Sequence, residues 1–269
     1  MKNMGITYAE LKESIDVIAP ESLMEVWDNS GIQIKTSGIK IDKIMIALEI
    51  TDQVIDEAII NDVDLIITHH PLIFKGINSI EVDEIVGKYI NKLIKSNISV
   101  YSAHTTFDKA KGGNNDYLIS LINLKISNIS GTGNFGELGI GRLINLEKPL
   151  KLDDLTSIIV NKLEIPTIEI KKVGRTDKEI IKIGICTGSG ASLINDALNN
   201  GCDLLITGDI KYHDAQYAKE TGLCLIDAGH YYTERIFSEN FAAKLKKMLG
   251  EKVNIIESKI NLNPFGNFL

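Results

Sequence analysis

AIINDVDLIITHH (58–70) aligns without gaps to ALNNGCDLLITGD (197–209), and this pairing organises the whole chain. The identical pairs are Ala58/Ala197, Asn61/Asn200, Asp64/Asp203, Leu65/Leu204, Ile67/Ile206 and Thr68/Thr207. Each segment reads as the end of an amphipathic helix, a turn and a buried strand. The same register reaches back to IMIALEI (44–50) and IGICTGS (183–189), two apolar runs suited to the preceding strand. Apolar strands often look alike, but the shared Asn, Asp and Thr argue for an internal duplication.

Working outward, each half alternates strand and helix. Thr7-Tyr8-Ala9-Glu10 has the form of a capping box that starts a helix. Strands are predicted near 43–49, 63–68 and 97–102, with helices near 52–62 and 82–95. In the second half, strands are predicted near 181–186, 202–207 and 222–227, with helices near 191–200, 212–220 and 232–248. Strands separated by helices imply βαβ units and largely parallel pairing. The expected fold is therefore α/β: two similar lobes from the duplication, 1–125 and 126–269, with a site between them. The C-terminal segment has the option of packing back on the first lobe. The glycine-rich stretch 126–145 reads as the join, with a strand at GELGIGRLI (136–144).

Composition sets limits on function. The chain has 269 residues, 44% hydrophobic and 24% charged, with a net charge of −7. An acidic chain is poorly suited to broad capture of nucleic acid, although local basic patches stay open. No apolar run approaches the roughly 18 residues of a membrane span. The N-terminus lacks an apolar core of signal-peptide length. Cys186, Cys202 and Cys224 form no CxxC pair and read as reduced, buried thiols. A soluble cytoplasmic protein is expected.

The chemistry gathers at strand ends, where α/β sheets bind ligands. His69 and His70 close the strand DLIIT, and Pro71 disfavours helical geometry at His70. Adjacent residues on a regular strand point to opposite faces, so two metals or an irregular turn would let both rings serve one site. His104 and Asp108 follow the strand ISVYS; His230 and Glu234 follow LCLID. Both pairs are spaced H-x-x-x-D/E, one helical turn apart. Imidazole and carboxylate without thiolate suit Zn, Fe, Mn, Co or Ni. Such a ligand set exceeds what one zinc takes and suits two ions about 3.5–4 Å apart with a bridging carboxylate. His104 is open between metal ligand, a partner that orients a ligand, and proton shuttle. His213, in TGDIKYHDAQ, reads as a catalytic acid/base, a substrate contact or a surface residue opening a helix. Thr187-Gly188-Ser189-Gly190 reads as a tight turn or as a cradle of backbone N–H groups for an anion. Trp27-Asp28-Asn29-Ser30-Gly31 signals a turn with a hydrophobic anchor.

Together WDNSGIQI (27–34), ITHHPLIF (67–74), AHTTFDKAKGGNN (103–115), TGSG (187–190), TGDIKYHDAQYAKE (207–220), AGHYYTE (228–234) and NPF (263–265) resemble the Nif-three-like dinuclear metal-centre family. Its members are also known as homologues of type 2 GTP cyclohydrolase I. The resemblance spans nearly the whole chain, in its short form without an inserted middle domain. It implies metal ligands at His69, His70, Asp108, His230 and Glu234, with Glu234 the bridge. Two divalent transition-metal ions per chain (Zn, Fe or Mn) and a toroidal homohexamer are further implications. Two functions follow. One is a metal-dependent hydrolase of a nucleotide or phosphorylated small molecule, with His104 and His213 moving protons. The alternative is a non-catalytic metal-binding ring with a regulatory or partner-binding role.

Overall fold

The computed structural model describes residues 5–36, 40–130 and 139–265. The chain divides into two compact units, Met1–Gly113 with Phe237–Leu269, and Asn114–Ile236. Each has a mixed α/β architecture.

In the first unit, a sheet runs in the order Asn254–Glu257, Lys43–Ala47, Leu65–Thr68, Ser99–Ser102, Gly31–Ile34. The first four strands are parallel, and Gly31–Ile34 closes one edge antiparallel. Leu65–Thr68 is buried along its length, the pattern of a central parallel strand covered on both faces. Ile44, Ile46, Leu65, Ile67 and Phe107 pack with Phe237, Phe241 and Leu245 of the helix Ile236–Leu249. Each such side chain contributes about 1.5–3 kcal/mol through burial. This packing, with the strand Asn254–Glu257, explains why the C-terminal segment belongs to this unit. The capping box at Thr7 is present: Glu10 N donates to Thr7 Oγ1 (3.2 Å) and Thr7 N to Glu10 Oε2 (2.8 Å).

The second unit has a sheet in the order Ile126–Ser130, Arg142–Lys151, Glu179–Ser189, Leu204–Gly208, Cys224–Asp227, Lys171–Val173. Its three strands from Glu179–Ser189 to Cys224–Asp227 are parallel, and the outer ones antiparallel. Helix Asn114–Ile122 sends Leu118, Ile119 and Ile122 into a core with Ile144, Ile159 and Ile183. Within the stretch 126–145, read as a join, the strand Ile126–Ser130 pairs antiparallel with Arg142–Lys151. The strand expected at 136–144 is found from Arg142 onward, and 136–138 lie outside the described residues.

The shared Asp and Asn of the repeat do the same work in both units, whereas Thr68 Oγ1 donates to His70 O and Thr207 Oγ1 to Gly188 O. The Asp64 carboxylate accepts from Asp42 N and Lys43 N, each at 2.8 Å. The Asp203 carboxylate accepts from Ile181 N and Lys182 N, each at 2.9 Å. Asn61 Nδ2 donates to Glu57 O and Asn200 Nδ2 to Asp196 O, both at 2.8 Å. Lys43 and Lys182 each reach the carbonyl of the helix-ending Asn. Even the pairing register corresponds: Ile44 faces Leu65, and Ile183 faces Leu204.

Cys186, Cys202 and Cys224 are buried. Burial pushes the Cys202 thiol up to about 11, so it is a poor nucleophile. Among the described residues, no helix is long and apolar enough to cross a membrane.

Candidate metal centre

Where the strand Leu65–Thr68 ends, the chain bends sharply. His69 N and His70 N both donate to the Leu48 carbonyl, at 3.0 and 2.9 Å. Thr68 Oγ1 secures the bend by donating to His70 O at 2.8 Å. Regular alternation stops here, and the rings of His69 and His70 lie side by side, 5.2 Å between centroids. This is the irregular turn that an adjacent pair of ligands requires. Ring nitrogens of His69, His70 and His104 come within 4.8 Å of one another, a group able to hold a metal ion.

Each of these rings is oriented through Nδ1. His69 is buried, with Nδ1 3.0 Å from Ala103 O. A carbonyl can only accept, so Nδ1 carries a proton, and in the neutral ring the lone pair is on Nε2, which lies 3.6 Å from Asp108 Oδ1. His70 Nδ1 is 3.5 Å from Glu49 Oε2. His104 Nδ1 is 2.8 Å from Asp28 Oδ1, and its ring stands edge-on to Trp27 and Phe74 at 6.1 Å from each.

Asp28 is deeply engaged. Its carboxylate also accepts from Thr105 N (3.2 Å), Thr105 Oγ1 (2.5 Å), Ser30 Oγ (2.7 Å) and Asn29 N (2.7 Å). Burial opposes ionisation, but the hydrogen bonds from His104, Thr105 and Ser30 outweigh it and hold the carboxyl well below the usual range.

In the second unit, His230 and Glu234 lie on the short helix His230–Glu234, with Nε2 and Oε2 2.7 Å apart. On the other side of the ring, Nδ1 is 2.7 Å from Asp209 Oδ2. A neutral imidazole donates from one nitrogen only, so the ring between two carboxylates calls for a second proton or a cation. Glu234 is buried, which sharpens that demand. Asp209 adopts φ +57°, left-handed geometry that non-glycine residues seldom hold.

The TGSG segment, read as a tight turn or an anion cradle, instead ends the strand Glu179–Ser189 through Ser189, with a register shift after Ile185, and it makes room for this helix. Thr187 N donates to Asn115 Oδ1, Gly188 N to Thr233 Oγ1 and Gly190 N to Thr207 Oγ1, at 2.8–2.9 Å. Those N–H groups are spent inside the protein, which removes the anion-cradle reading. Gly188 has φ +68°, and a Cβ there would lie 2.0 Å from Glu234 Oε1.

The two H-x-x-x-acid pairs are used differently. His230 faces Glu234 directly, whereas His104 turns to Asp28 and Asp108 faces His69. His213 is exposed at the start of helix Tyr212–Thr221, its ring 5.3 Å from that of Tyr212. It joins no metal-ligating cluster among the described residues. Sequence reasoning passed over Asp28, Glu49 and Asp209. Asp209 had a readable signal, because it occupies the place of His70 in the repeat. Glu49 had a weaker one, at the exit of the strand IMIALEI. Asp28 had none beyond its turn.

Similar proteins place the chain. Residues 6–264 match the model of the family described as Duf34/NIF3 (NGG1p interacting factor 3). A Clostridium acetobutylicum protein named GTP cyclohydrolase 1 type 2 homolog is 36% identical, covering 97% of this chain and 99% of its own. A Clostridium perfringens protein of the same name is 37% identical, covering 93% and 95%. The crystal structure of Staphylococcus aureus protein SA1388 superposes with a TM-score of 0.85 at 29% identity, covering 97% and 99%. Sequence and fold agree, and the chain belongs to the Duf34/NIF3 family.

Proposed function

We propose that this protein is a metal-dependent hydrolase with His69, His70, Asp108, His230 and Glu234 as its metal ligands. One observation carries the reading. The four histidines His69, His70, His104 and His230 each have Nδ1 set against an oxygen, from Ala103, Glu49, Asp28 and Asp209, at 2.7–3.5 Å. An imidazole anchored this way presents Nε2, and histidines that ligate metals are almost always so anchored. The donors are imidazoles and carboxylates, fitting divalent Zn, Fe or Mn.

Bound divalent ions would supply an acidified water near neutral pH, with about two ions per chain sharing Glu234. His104, beside His69 and His70, is the proton carrier at the site; His213 is the second candidate. The naming of relatives as GTP cyclohydrolase 1 type 2 homologs supports a nucleotide substrate. The assembly proposed is a homohexamer.

Elemental analysis of protein purified without chelator, joined to a GTP turnover assay, tests the reading. The expected result is bound transition metal and formate release, both lost in His69→Ala. Metal binding without turnover of GTP or phosphoesters would favour a non-catalytic ring. Protein that neither retains nor takes up Zn, Fe or Mn would overturn the metal site.

A further inference from the structure

Asp28 sits in the loop Trp27–Ser30, just before the edge strand Gly31–Ile34, and is not among the proposed metal ligands. Its side chain is fully enclosed, and its carboxylate meets donors from His104, Thr105, Ser30 and Asn29. The segment is tied down around it. Glu25 is buried and pairs with Lys109 at 2.7 Å, Glu25 N donates to Thr105 Oγ1 at 3.1 Å, and Ser30 Oγ accepts from His104 N at 3.1 Å. The loop therefore clamps the helix Thr105–Lys109, the element that carries Asp108.

We infer that Asp28 is a positioning residue that fixes the tautomer of His104 and the first turn of the Asp108 helix. An ionised carboxylate is acceptor-only, so the His104 nitrogen at 2.8 Å must carry the proton. Neutral His104 then keeps its lone pair on Nε2. Free neutral histidine prefers the opposite arrangement, with the proton on Nε2. Asp28 reverses that preference beside His69 and His70, whose ring nitrogens lie within 4.8 Å of a nitrogen of His104. Only in the reversed form can neutral His104 accept a proton, or bond an ion, from Nε2. The importance of this for chemistry rests on the proposed metal function; the tautomer itself does not.

The deciding experiment is heteronuclear NMR of metal-free protein carrying isotopically labelled histidine, at a pH where His104 is neutral. His104 is expected protonated on Nδ1 in the native chain. Asp28→Asn is expected to move the proton to Nε2, because an amide can present its N–H to Nδ1. Glu25→Gln, which loosens the same helix through Lys109, is expected to leave the tautomer unchanged. Adding Zn2+ alone gives the second readout, with Asp28→Asn binding about 10–100-fold more weakly. Native His104 protonated on Nε2, or an unaltered tautomer in Asp28→Asn, overturns the inference. The native spectrum decides even where the variant fails to fold. The expected tautomers with no Zn2+ binding by the native chain would uphold the positioning role and defeat the metal function.

Discussion

His230 Nδ1 lies 2.7 Å from Asp209 Oδ2, and Asp209 stands in the second half of the repeat where His70 stands in the first. One half spends that position on an imidazole aimed at the site, the other on the carboxylate that aims one. Asp209→Gly separates the two burdens of this residue. Glycine suits φ +57° at no steric cost, so the melting temperature is expected to hold. Zn2+ affinity is expected to fall about 10–100-fold with the loss of the anchor. Calorimetry of binding beside thermal melting reads both, and unchanged affinity would remove Asp209 from the site.

Gly188→Ala tests whether the glycine near the end of the strand Glu179–Ser189 exists to seat Glu234. The added Cβ meets Glu234 Oε1 at 2.0 Å and Cδ at 2.8 Å, on a backbone at φ +68°. Glu234 must move, and metal content is expected to drop while far-ultraviolet circular dichroism stays native. Gly201→Ala has a similar φ of +67° but nothing within 4 Å of its Cβ, so it controls for backbone strain alone.

Three variants rank the ligands. Glu234→Gln is expected to weaken both ions of a dinuclear site, since a neutral amide bridges poorly. Asp108→Asn is expected to release one ion and leave the other. His213→Ala is expected to keep the metal and lower any turnover. Metal stoichiometry settles each case: full occupancy in Glu234→Gln removes the bridge, and lost metal in His213→Ala makes that exposed histidine a ligand.

Asp28 also leaves a mark on acid stability. Its folded carboxyl is held below the unfolded value of about 3.9. The stabilisation is therefore complete above that value and drains away as pH falls below it toward the folded pKa. Native protein should lose stability on acidification from about pH 4 downward more steeply than Asp28→Asn. Denaturant midpoints measured across that range check the difference in slope; equal slopes would mean that Asp28 is not held ionised.

Much of this was legible because the informative residues were in regular structure. Asp64 and Asp203 accept from equivalent pairs of backbone N–H groups, and their identity within apolar runs marks the βαβ units in the sequence. His69, His70 and His230 sat at strand exits, a position set by local pattern. The partners of those histidines were not legible. Asp28 is 76 positions from His104, and only the folded backbone joins them. The equal spacing of His104/Asp108 and His230/Glu234 even suggested equal use, whereas tertiary contacts send His104 to Asp28. The strand Asn254–Glu257 escaped because its place beside Lys43–Ala47 is a long-range pairing with no periodic signature of its own.

The Leu48 carbonyl that receives both His69 N and His70 N has a wider consequence. The spacing of the two side chains is written in main-chain geometry, and nothing in that geometry depends on imidazole. Other residues can be mounted on the same bend without rebuilding it. Replacing His70 by Asp, or His69 by Cys, should therefore retune which ion the pair prefers along the hard-to-soft series, with the protein keeping its shape. The bend is a socket, and selectivity lies in what is plugged into it.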